Sequence, residues 1–378
     1  MIKKSKKSSV PRPSPGKTPA QRRGKHIDTI RYLIAGRIDT MWNEETLNAM
    51  LSAPSENLIA DMANLEGDIM ILGAGGKMGP TLSVMAKKAS DAAGKRRRVY
   101  AVSRFSDPLA AELLRREGVD ILPVDLNDEQ QLANLPKAPN IVYMLGKKFG
   151  TSGNAGDTWH TNVVMPGMIT KRLGPVRYVV FSTGNVYPFT DPALGGCREE
   201  DSPAPVGEYA MSTWGRERVF EYAARNYGAK ALLFRLNYAI DLRYGVLLDL
   251  AEQILNGRPI RLDVPRFNCV WQRYANEAAL RSLLRVSPEV ERLNVTGPEA
   301  GVTREVARKL AKELGREVKF EGGEGEKAML MNPAKCMAWF GEPDKSLDEL
   351  IHLQAEWLKA GGRRLGKPTH FEETEGKF

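Results

Sequence analysis

Short apolar runs alternate with longer amphipathic stretches through most of the chain. The first run covers residues 68–72, and residues 81–93 then place apolar side chains at helical spacing. Further apolar runs predict five more strands, at residues 98–102, 120–123, 140–145, 176–181 and 231–235. Helical segments lie between these strands. Such alternation is typical of a parallel sheet covered by helices on both faces. The sequence therefore predicts an α/β fold with a doubly wound, Rossmann-like sheet.

Helical segments precede this pattern, and a second lobe follows it. Apolar positions between residues 44 and 65 predict two short helices that pack on the main domain. The Ser346-Leu-Asp-Glu349 sequence is a capping-box pattern that predicts the start of a late helix. Other predicted elements are helices at 244–255, 275–285 and 303–314, short strands at 260–262 and 268–271, and a strand at 292–295 that returns to the main sheet.

The net charge of +9 lies entirely at the amino-terminal end. Residues 1–40 contain eleven Lys and Arg residues and two Asp residues, so the other 338 residues are formally neutral. We expect this Lys-, Ser- and Pro-rich segment to be a disordered basic tail. Nucleic-acid binding depends on attraction to phosphates, so we do not expect a nucleic-acid partner outside the tail.

Composition bears on three further properties: a membrane span, disulfide bonds and a metal site. No apolar run reaches the roughly 18 residues that a membrane span needs, so we expect a cytoplasmic protein without a membrane partner. Cys197, Cys269 and Cys336 are far apart, which suits free thiols in a reducing compartment. The four histidines are not spaced as metal ligands, so no metal site is predicted.

The turn after the first predicted strand contains a candidate cofactor-binding motif. Gly73, Gly76 and Gly79 lie between the apolar run and the following helix, with Lys77 and Met78 among them. Glycines permit a sharp turn there and let the backbone approach a pyrophosphate, which the helix N-terminus attracts. In this strand-turn-helix context the pattern predicts binding of a dinucleotide, NAD or NADP.

The end of the second strand bears on which dinucleotide binds. NAD-preferring proteins of this architecture place a carboxylate there, whereas this chain has Ser103 and Arg104. A guanidinium can form paired, charge-assisted hydrogen bonds with a 2′-phosphate, so NADP is favoured over NAD. Asp125, after the third strand, could accept a hydrogen bond from the adenine amino group or could cap the helix that contains Glu129.

Several motifs together resemble a known family, the extended short-chain dehydrogenase/reductases, also called the NAD-dependent epimerase/dehydratase family. The resemblance covers about residues 66–362 and rests on Gly73xxGly76xxGly79, Asp125, Asn162, Phe181-Ser-Thr-Gly-Asn-Val-Tyr187, Tyr209-Ala-Met-Ser-Thr213 and Arg235-Leu-Asn237. It implies an NAD(P)-binding domain and a smaller, mainly C-terminal lobe for a sugar-like substrate. We assign the tail to residues 1–40, a helical prefix to 41–66, the NAD(P)-binding domain to 67–236 and 270–297, and the substrate lobe to 237–269 and 298–378.

The resemblance also implies the catalytic residues. Thr183 aligns with the family's catalytic hydroxyl residue, and Tyr209 aligns with its catalytic tyrosine. By position we add two sets of candidates. Candidate cofactor contacts are Leu126, Leu145, Gly146 and Asn162. Candidate substrate contacts are Lys147, Asn185, Tyr187, Asn237, Trp271, Gln272 and Arg273.

One position departs from the family pattern. The family has a lysine one helical turn after the tyrosine, and it lowers the pKa of the phenol; this chain has Thr213. Three interpretations stay open. A cation such as Lys147, Lys148 or Arg216 could replace the lysine, Tyr209 could act only as an acid in a reduction, or catalysis could be lost.

The expected function follows from these observations. We expect an NAD(P)-dependent oxidoreductase of the epimerase/dehydratase type that acts on a sugar or sugar derivative by reversible hydride transfer. The alternative is a catalytically silent NAD(P)-binding module with a regulatory or scaffolding role. A homodimer is compatible with either function.

Overall fold

The central element of the structure is a seven-stranded parallel sheet. The computed structural model describes residues 42–151 and 153–377, and its elements are numbered here along the chain. The strands of the sheet are β1 (Ile69–Leu72), β2 (Val99–Ser103), β3 (Asp120–Pro123), β4 (Asn140–Tyr143), β5 (Arg177–Thr183), β6 (Lys230–Leu236) and β11 (Glu291–Val295). They lie in the order β3-β2-β1-β4-β5-β6-β11, and every neighbouring pair is parallel. The predicted fold class is confirmed.

Both faces of the sheet are covered by helices, which explains why its strands are continuous apolar runs. One face packs against α2 (Glu56–Asn64), α3 (Gly79–Ala92), α4 (Pro108–Arg116), α10 (Gln272–Arg281) and α12 (Ala334–Phe340). The other face packs against α5 (Glu129–Ala133), α7 (Met165–Leu173) and α8 (Gly207–Tyr227). A short helix α6 (Ala155–Trp159) leads into α7 through a π-helical turn at His160–Val164.

A second hydrophobic core lies in the other lobe. Its helices are α1 (Glu44–Leu51), α9 (Val246–Leu255), α11 (Thr303–Leu314) and α13 (Leu347–Lys359). Short strands complete this lobe, namely β7 (Ala239–Ile240), β8 (Ile260–Arg261), β9 (Arg266–Phe267), β10 (Val270–Trp271), β12 (Gly301–Val302) and β13 (Phe320–Glu321). Leu47 and Leu51 of α1 pack in this core, whereas Leu58 and Met62 of α2 pack under the main sheet. The helical prefix therefore contributes to both cores.

Some predicted elements differ from the structure. The strand predicted at 268–271 is shorter in the structure, where β10 begins at Val270, and the Asn268 side-chain amide donates to the carbonyl of Met331. The helix predicted at 275–285 begins at Gln272 and ends at Arg281. The capping box at Ser346 and Glu349 is present. Asp125 does not cap α5, because Asp128 accepts the hydrogen bonds from the first turn.

Two further predictions concern the basic tail and membrane-spanning helices. The predicted basic tail at residues 1–40 lies outside the described residues. Among the residues that the structure describes, no helix is long and apolar enough to cross a membrane.

Candidate functional site

A cleft of about 330 Å³ opens at the carboxyl edge of the sheet, where parallel α/β proteins bind their ligands. Residues of the glycine loop, of the segments after β4 and β5, of α8 and of the second lobe line it. The predicted site residues that line this cleft are Gly73, Gly76, Lys77, Met78, Gly79, Leu145, Gly146, Thr183, Asn185, Tyr209, Asn237 and Gln272. Twelve of the 24 residues that line this cleft were therefore predicted from the sequence as site residues.

The glycine loop crosses the segment after β4 closely and leads into α3. Gly73 has a φ of +90°, and a Cβ atom there would lie 3.0 Å from the backbone nitrogen of Leu145, so the crossing of the two segments requires glycine. Helix α3 begins at Gly79, and its N-cap residue, Met78, makes no side-chain hydrogen bond to the first turn. The N–H groups of that turn therefore remain for an anion from outside the helix.

A second cleft adjoins the first at the ends of β2, β3 and β4. Its lining includes Ser103, Arg104, Asp125, Leu126 and Lys147, all of which the sequence analysis selected. Arg104 is exposed at the end of β2, as the proposed contact with a 2′-phosphate requires. The Asp125 carboxylate accepts hydrogen bonds from the backbone and side-chain nitrogens of Asn127. This cleft has the composition expected of an adenosine site.

Thr183 and Tyr209 come together in the main cleft. Thr183 is the last residue of β5, and Tyr209 lies in the first turn of α8. The Thr183 hydroxyl donates to the side-chain oxygen of Asn185 at 3.0 Å, and its oxygen accepts from the backbone nitrogen of Asn185 at 3.2 Å. Burial raises the pKa of Tyr209, while the Thr183 hydroxyl, the charge of Arg216 and the Thr213 hydroxyl lower it. The phenol is therefore protonated at neutral pH.

Arg216 places a buried cation beside this pair. One guanidinium nitrogen donates to the carbonyl of Phe181 at 2.9 Å, and another donates to the side-chain oxygen of Asn162 at 2.6 Å. A Cβ atom at Gly146 would lie 2.7 Å from the guanidinium, so glycine is needed where the arginine approaches the loop after β4. Arg216 lines the cleft and lowers the pKa of Tyr209 through its charge. Of the three cations considered from the sequence, Arg216 acts on the Tyr209 phenol through its charge, and the Lys148 ammonium lies 5.8 Å from the centroid of the Tyr209 ring.

Asn162 holds this arrangement rather than lining the cleft. It lies in the π-helical turn, and such turns are frequent at functional sites. Its oxygen also accepts from the backbone nitrogen of Lys147 at 2.9 Å, and its amide donates to the carbonyl of Lys147 and to the hydroxyl of Ser212. Asn162 therefore connects the loop after β4 to α8 and fixes the position of the Arg216 guanidinium.

A buried ion pair fixes α8 against the sheet. Glu217 and Arg235 form a two-fold contact with nitrogen–oxygen distances of 2.9 and 2.7 Å, and both side chains are fully buried. Ser182, next to Thr183, donates its hydroxyl to the same carboxylate at 2.6 Å. Arg235 also donates to the hydroxyl of Tyr187. The arginine of the Arg235-Leu-Asn237 motif therefore positions the helix that carries Tyr209.

Three predicted substrate contacts are placed elsewhere. Tyr187 points into the core, where its hydroxyl donates to Asn294. Trp271 is 1% exposed in the core of the second lobe. Arg273 points away from the cleft, because its guanidinium donates to the carbonyl of Ala53 and pairs with carboxylates. For these three residues the predicted substrate contact is wrong.

Several residues of the cleft were missed from the sequence. Tyr244 and Phe149 provide aromatic walls, and Thr369 reaches the cleft from the C-terminal segment. Thr369 is held there by Asp249, whose carboxylate accepts from its backbone nitrogen at 2.7 Å and from its hydroxyl at 2.5 Å. The C-terminal segment has neither hydrophobic periodicity nor a motif, so the sequence carried no signal of this contact.

Outside the clefts, one group of potential ligand atoms occurs among the described residues. Glu313, His352 and Glu356 come within 4.8 Å of one another on the surface of the second lobe. His352 and Glu313 form a 3.4 Å ion pair there when the imidazole is protonated. Surface charges of this kind are common without a metal, and nothing else in the structure connects them to the clefts.

A comparison with known proteins supports the family resemblance that the motifs indicated. Residues 69–262 match the NAD dependent epimerase/dehydratase family, which is just over half of the chain. No curated protein matches the sequence.

Solved structures share the fold at low identity. The UDP-glucuronic acid 4-epimerase from Bacillus cereus, solved with NAD, is 15% identical and superimposes with a TM-score of 0.63 over 77% of this chain and 98% of that one. The UDP-Glc/GlcNAc 4-epimerase from Campylobacter jejuni is 18% identical, with a TM-score of 0.64 over 78% and 99% of the two chains. The UDP-glucose 4-epimerase from Thermotoga maritima is 17% identical, with a TM-score of 0.62 over 78% and 99%.

Proposed function

The chain belongs to the NAD-dependent epimerase/dehydratase family, and from this premise we propose that it is an NAD(P)-dependent oxidoreductase acting on a sugar or sugar derivative by reversible hydride transfer. The observation that carries the proposal is that Thr183 and Tyr209 line the same cleft as the glycine loop, where the Thr183 hydroxyl lowers the pKa of the Tyr209 phenol. The three structural neighbours described above are UDP-sugar 4-epimerases, which supports the substrate class.

The chain offers a consistent set of cofactor contacts. The glycine loop and the first turn of α3 would hold the pyrophosphate, and the second cleft would hold the adenosine. Arg104 is exposed where the ribose 2′-position is expected, which favours NADP over NAD. When bound, the nicotinamide supplies the hydride acceptor or donor.

The proton chemistry falls to residues of this chain. Hydride transfer at a carbinol carbon needs a proton to move at its oxygen, and a positioned hydroxyl acid or base contributes roughly 10²–10⁴-fold. Tyr209 is the group for this role. Thr183 orients its phenol, and Arg216 supplies the positive charge that the family's lysine provides and Thr213 cannot. Because the phenol is protonated at neutral pH, it is ready to donate to a carbonyl oxygen.

The test is turnover by the purified full chain. A panel of UDP-sugars, sugar acids and neutral sugars would be tested. The absorbance of the reduced nicotinamide reports net oxidation or reduction, and chromatography of the sugars reports epimerisation or dehydration, in which the cofactor returns to its starting oxidation state. We expect turnover with at least one class, and we expect Tyr209→Phe to lower kcat by about 10²-fold or more while cofactor affinity is retained. Tyr222→Phe is the matched control, because Tyr222 is an exposed tyrosine on the same helix.

The same experiment separates this proposal from the silent module. Cofactor binding without turnover on any member of the panel would favour a regulatory or scaffolding role. Turnover that is equal in the wild type and in Tyr209→Phe would remove Tyr209 from the mechanism.

A further inference from the structure

Two lysine side chains enter the main cleft from the cofactor-binding half. Lys77 belongs to the glycine loop, and its ammonium nitrogen lies 3.2 Å from the ring centroid of Tyr244 and 4.7 Å from that of Phe149. Tyr244 belongs to the second lobe. Lys77 therefore reaches across the glycine loop toward the substrate side, and no carboxylate forms an ion pair with it in the part of the chain that the structure describes.

Lys148 brings a second ammonium group to the same place. Its nitrogen donates to the carbonyl of Thr369 at 3.1 Å and lies 5.4 Å from the ring centroid of Phe149. It also lies 5.8 Å from the ring centroid of Tyr209. Both cations therefore flank the Phe149 ring, and one of them is adjacent to the proposed acid/base.

Burial makes both ammonium groups harder to protonate than a lysine in water. Burial and the charges of Lys148 and Lys367 lower the pKa of Lys77 to about 7, against the opposing effect of the Asp249 and Asp241 carboxylates. Burial likewise lowers the pKa of Lys148 to about 8, against Asp249 and Glu372.

Two of these carboxylates, Asp241 and Asp249, have other partners. Asp241 forms a two-fold ion pair with Arg243 at 2.7 Å, and Asp249 accepts two hydrogen bonds from Thr369. A desolvated cation is costly unless it is paired, and contact with an aromatic ring offsets only part of that cost.

We infer that Lys77 and Lys148 bind an anionic group of the substrate, a carboxylate or a phosphate close to the reacting carbon, and that the cleft selects such substrates over neutral ones. The inference rests on the proposed function and extends it. A phosphate of the cofactor is the other source of the same chemistry. The contact of the Lys77 ammonium with the ring of Tyr244, which belongs to the second lobe, favours the substrate.

The experiment is a titration of the full chain saturated with NADPH. The probes are D-glucuronate and inorganic phosphate, with D-glucose as the neutral comparison, and binding is measured by calorimetry. We expect at least one anion to bind more tightly than D-glucose, and Lys77→Met to weaken that anion by about 10-fold or more, as expected for loss of a charged hydrogen bond. Lys77→Arg keeps the charge and should retain most of the affinity.

Two controls identify the source of the anion. Lys77→Met should leave the Kd for NADPH within about 3-fold of the wild type, a change of less than about 1 kcal/mol. Lys87→Met is the matched surface variant, because Lys87 pairs with Asp91 on the exposed side of α3, and it should change neither affinity.

The pH dependence gives a readout that a structural role would not produce. An anion binds the ammonium form of Lys77, whose fraction falls as the pH rises through about 7. Anion affinity should therefore fall between pH 6 and 8 in the wild type. In Lys77→Arg the affinity should change less over the same range, because a guanidinium stays protonated.

Three results would overturn the inference: no anion binding to the NADPH complex, equal affinity for D-glucose, or equal losses of NADPH and anion affinity in Lys77→Met. The last result would assign Lys77 to the cofactor phosphates. Failure of the proposed function looks different, because it appears as absent NADPH binding or as turnover that is indifferent to Tyr209→Phe.

Discussion

Replacing Arg216 by methionine tests whether this residue serves in place of the family's lysine. The guanidinium donates two buried hydrogen bonds, to Phe181 at 2.9 Å and to Asn162 at 2.6 Å. Methionine leaves both acceptors without their charged donor, and each such loss costs about 1.5–3 kcal/mol. We therefore expect the free energy of unfolding to fall by about 3–6 kcal/mol, measured by urea denaturation.

The catalytic effect has a separate magnitude. A cation close to a titrating group shifts its pKa by about 1–3 units, and Arg216 lowers the pKa of Tyr209. Without that charge the phenol loses its proton only at higher pH. The pH profile of kcat for alcohol oxidation should therefore move to higher pH by about 1–3 units.

Two further variants make the result decisive. Arg216→Lys keeps the positive charge and should restore the pH profile even where stability is only partly recovered. Arg225→Met, which removes an exposed arginine in the last turn of the same helix, should change neither property appreciably. A loss of stability in Arg216→Met with an unshifted pH profile would refute the electrostatic role and leave Arg216 as a purely structural residue.

The remaining predictions concern the cofactor, the buried ion pair and the C-terminal contact. Arg104→Ala should raise the Kd for NADPH by about 10-fold or more in a fluorescence titration while changing that for NADH little, since a charged hydrogen bond is worth about 1.5–3 kcal/mol; equal losses would reject the NADP assignment. Glu217→Gln leaves the buried Arg235 without its counter-charge and should lower the free energy of unfolding by about 3–5 kcal/mol in urea, whereas a change below about 1 kcal/mol would contradict the geometry. Burial raises the pKa of Asp249 to about 6, so the folded state binds this proton more tightly than the unfolded chain, and the associated stability should be lost as the pH rises from about 4 to 6. Asp249→Asn should remove that part of the pH dependence in thermal denaturation at a series of pH values, and an unchanged slope would count against it.

The fold could be predicted because its signals are local. Strands buried on both faces are apolar throughout, as in β1, where all four residues are buried. Helix α11 has the predicted bounds, Thr303–Leu314, because its apolar stripe repeats with the helical period. The glycine loop could be placed because close backbone approach and positive φ values require glycine.

The parts of the site that depend on distant contacts were not accessible in this way. The sequence placed Arg216 on the same helix face as Tyr209, but its burial depends on Phe181 and Asn162, which are 35 and 54 residues away. Trp271 was predicted by its position to contact the substrate, but tertiary packing buries its side chain in the core of the second lobe. In a connecting segment, tertiary packing decides where a side chain points, and the local pattern of apolar and polar residues does not reveal it.

The central claim is that the cleft at the glycine loop holds a nicotinamide dinucleotide, and the most direct measurement is a fluorescence titration of the full chain with NADPH and NADH. We predict saturable binding of one equivalent per chain. We also predict that binding is lost in Gly76→Val, a substitution at an exposed loop position that fills the space of the pyrophosphate. Absence of binding in the wild type, or equal affinity in Gly76→Val, would contradict the account.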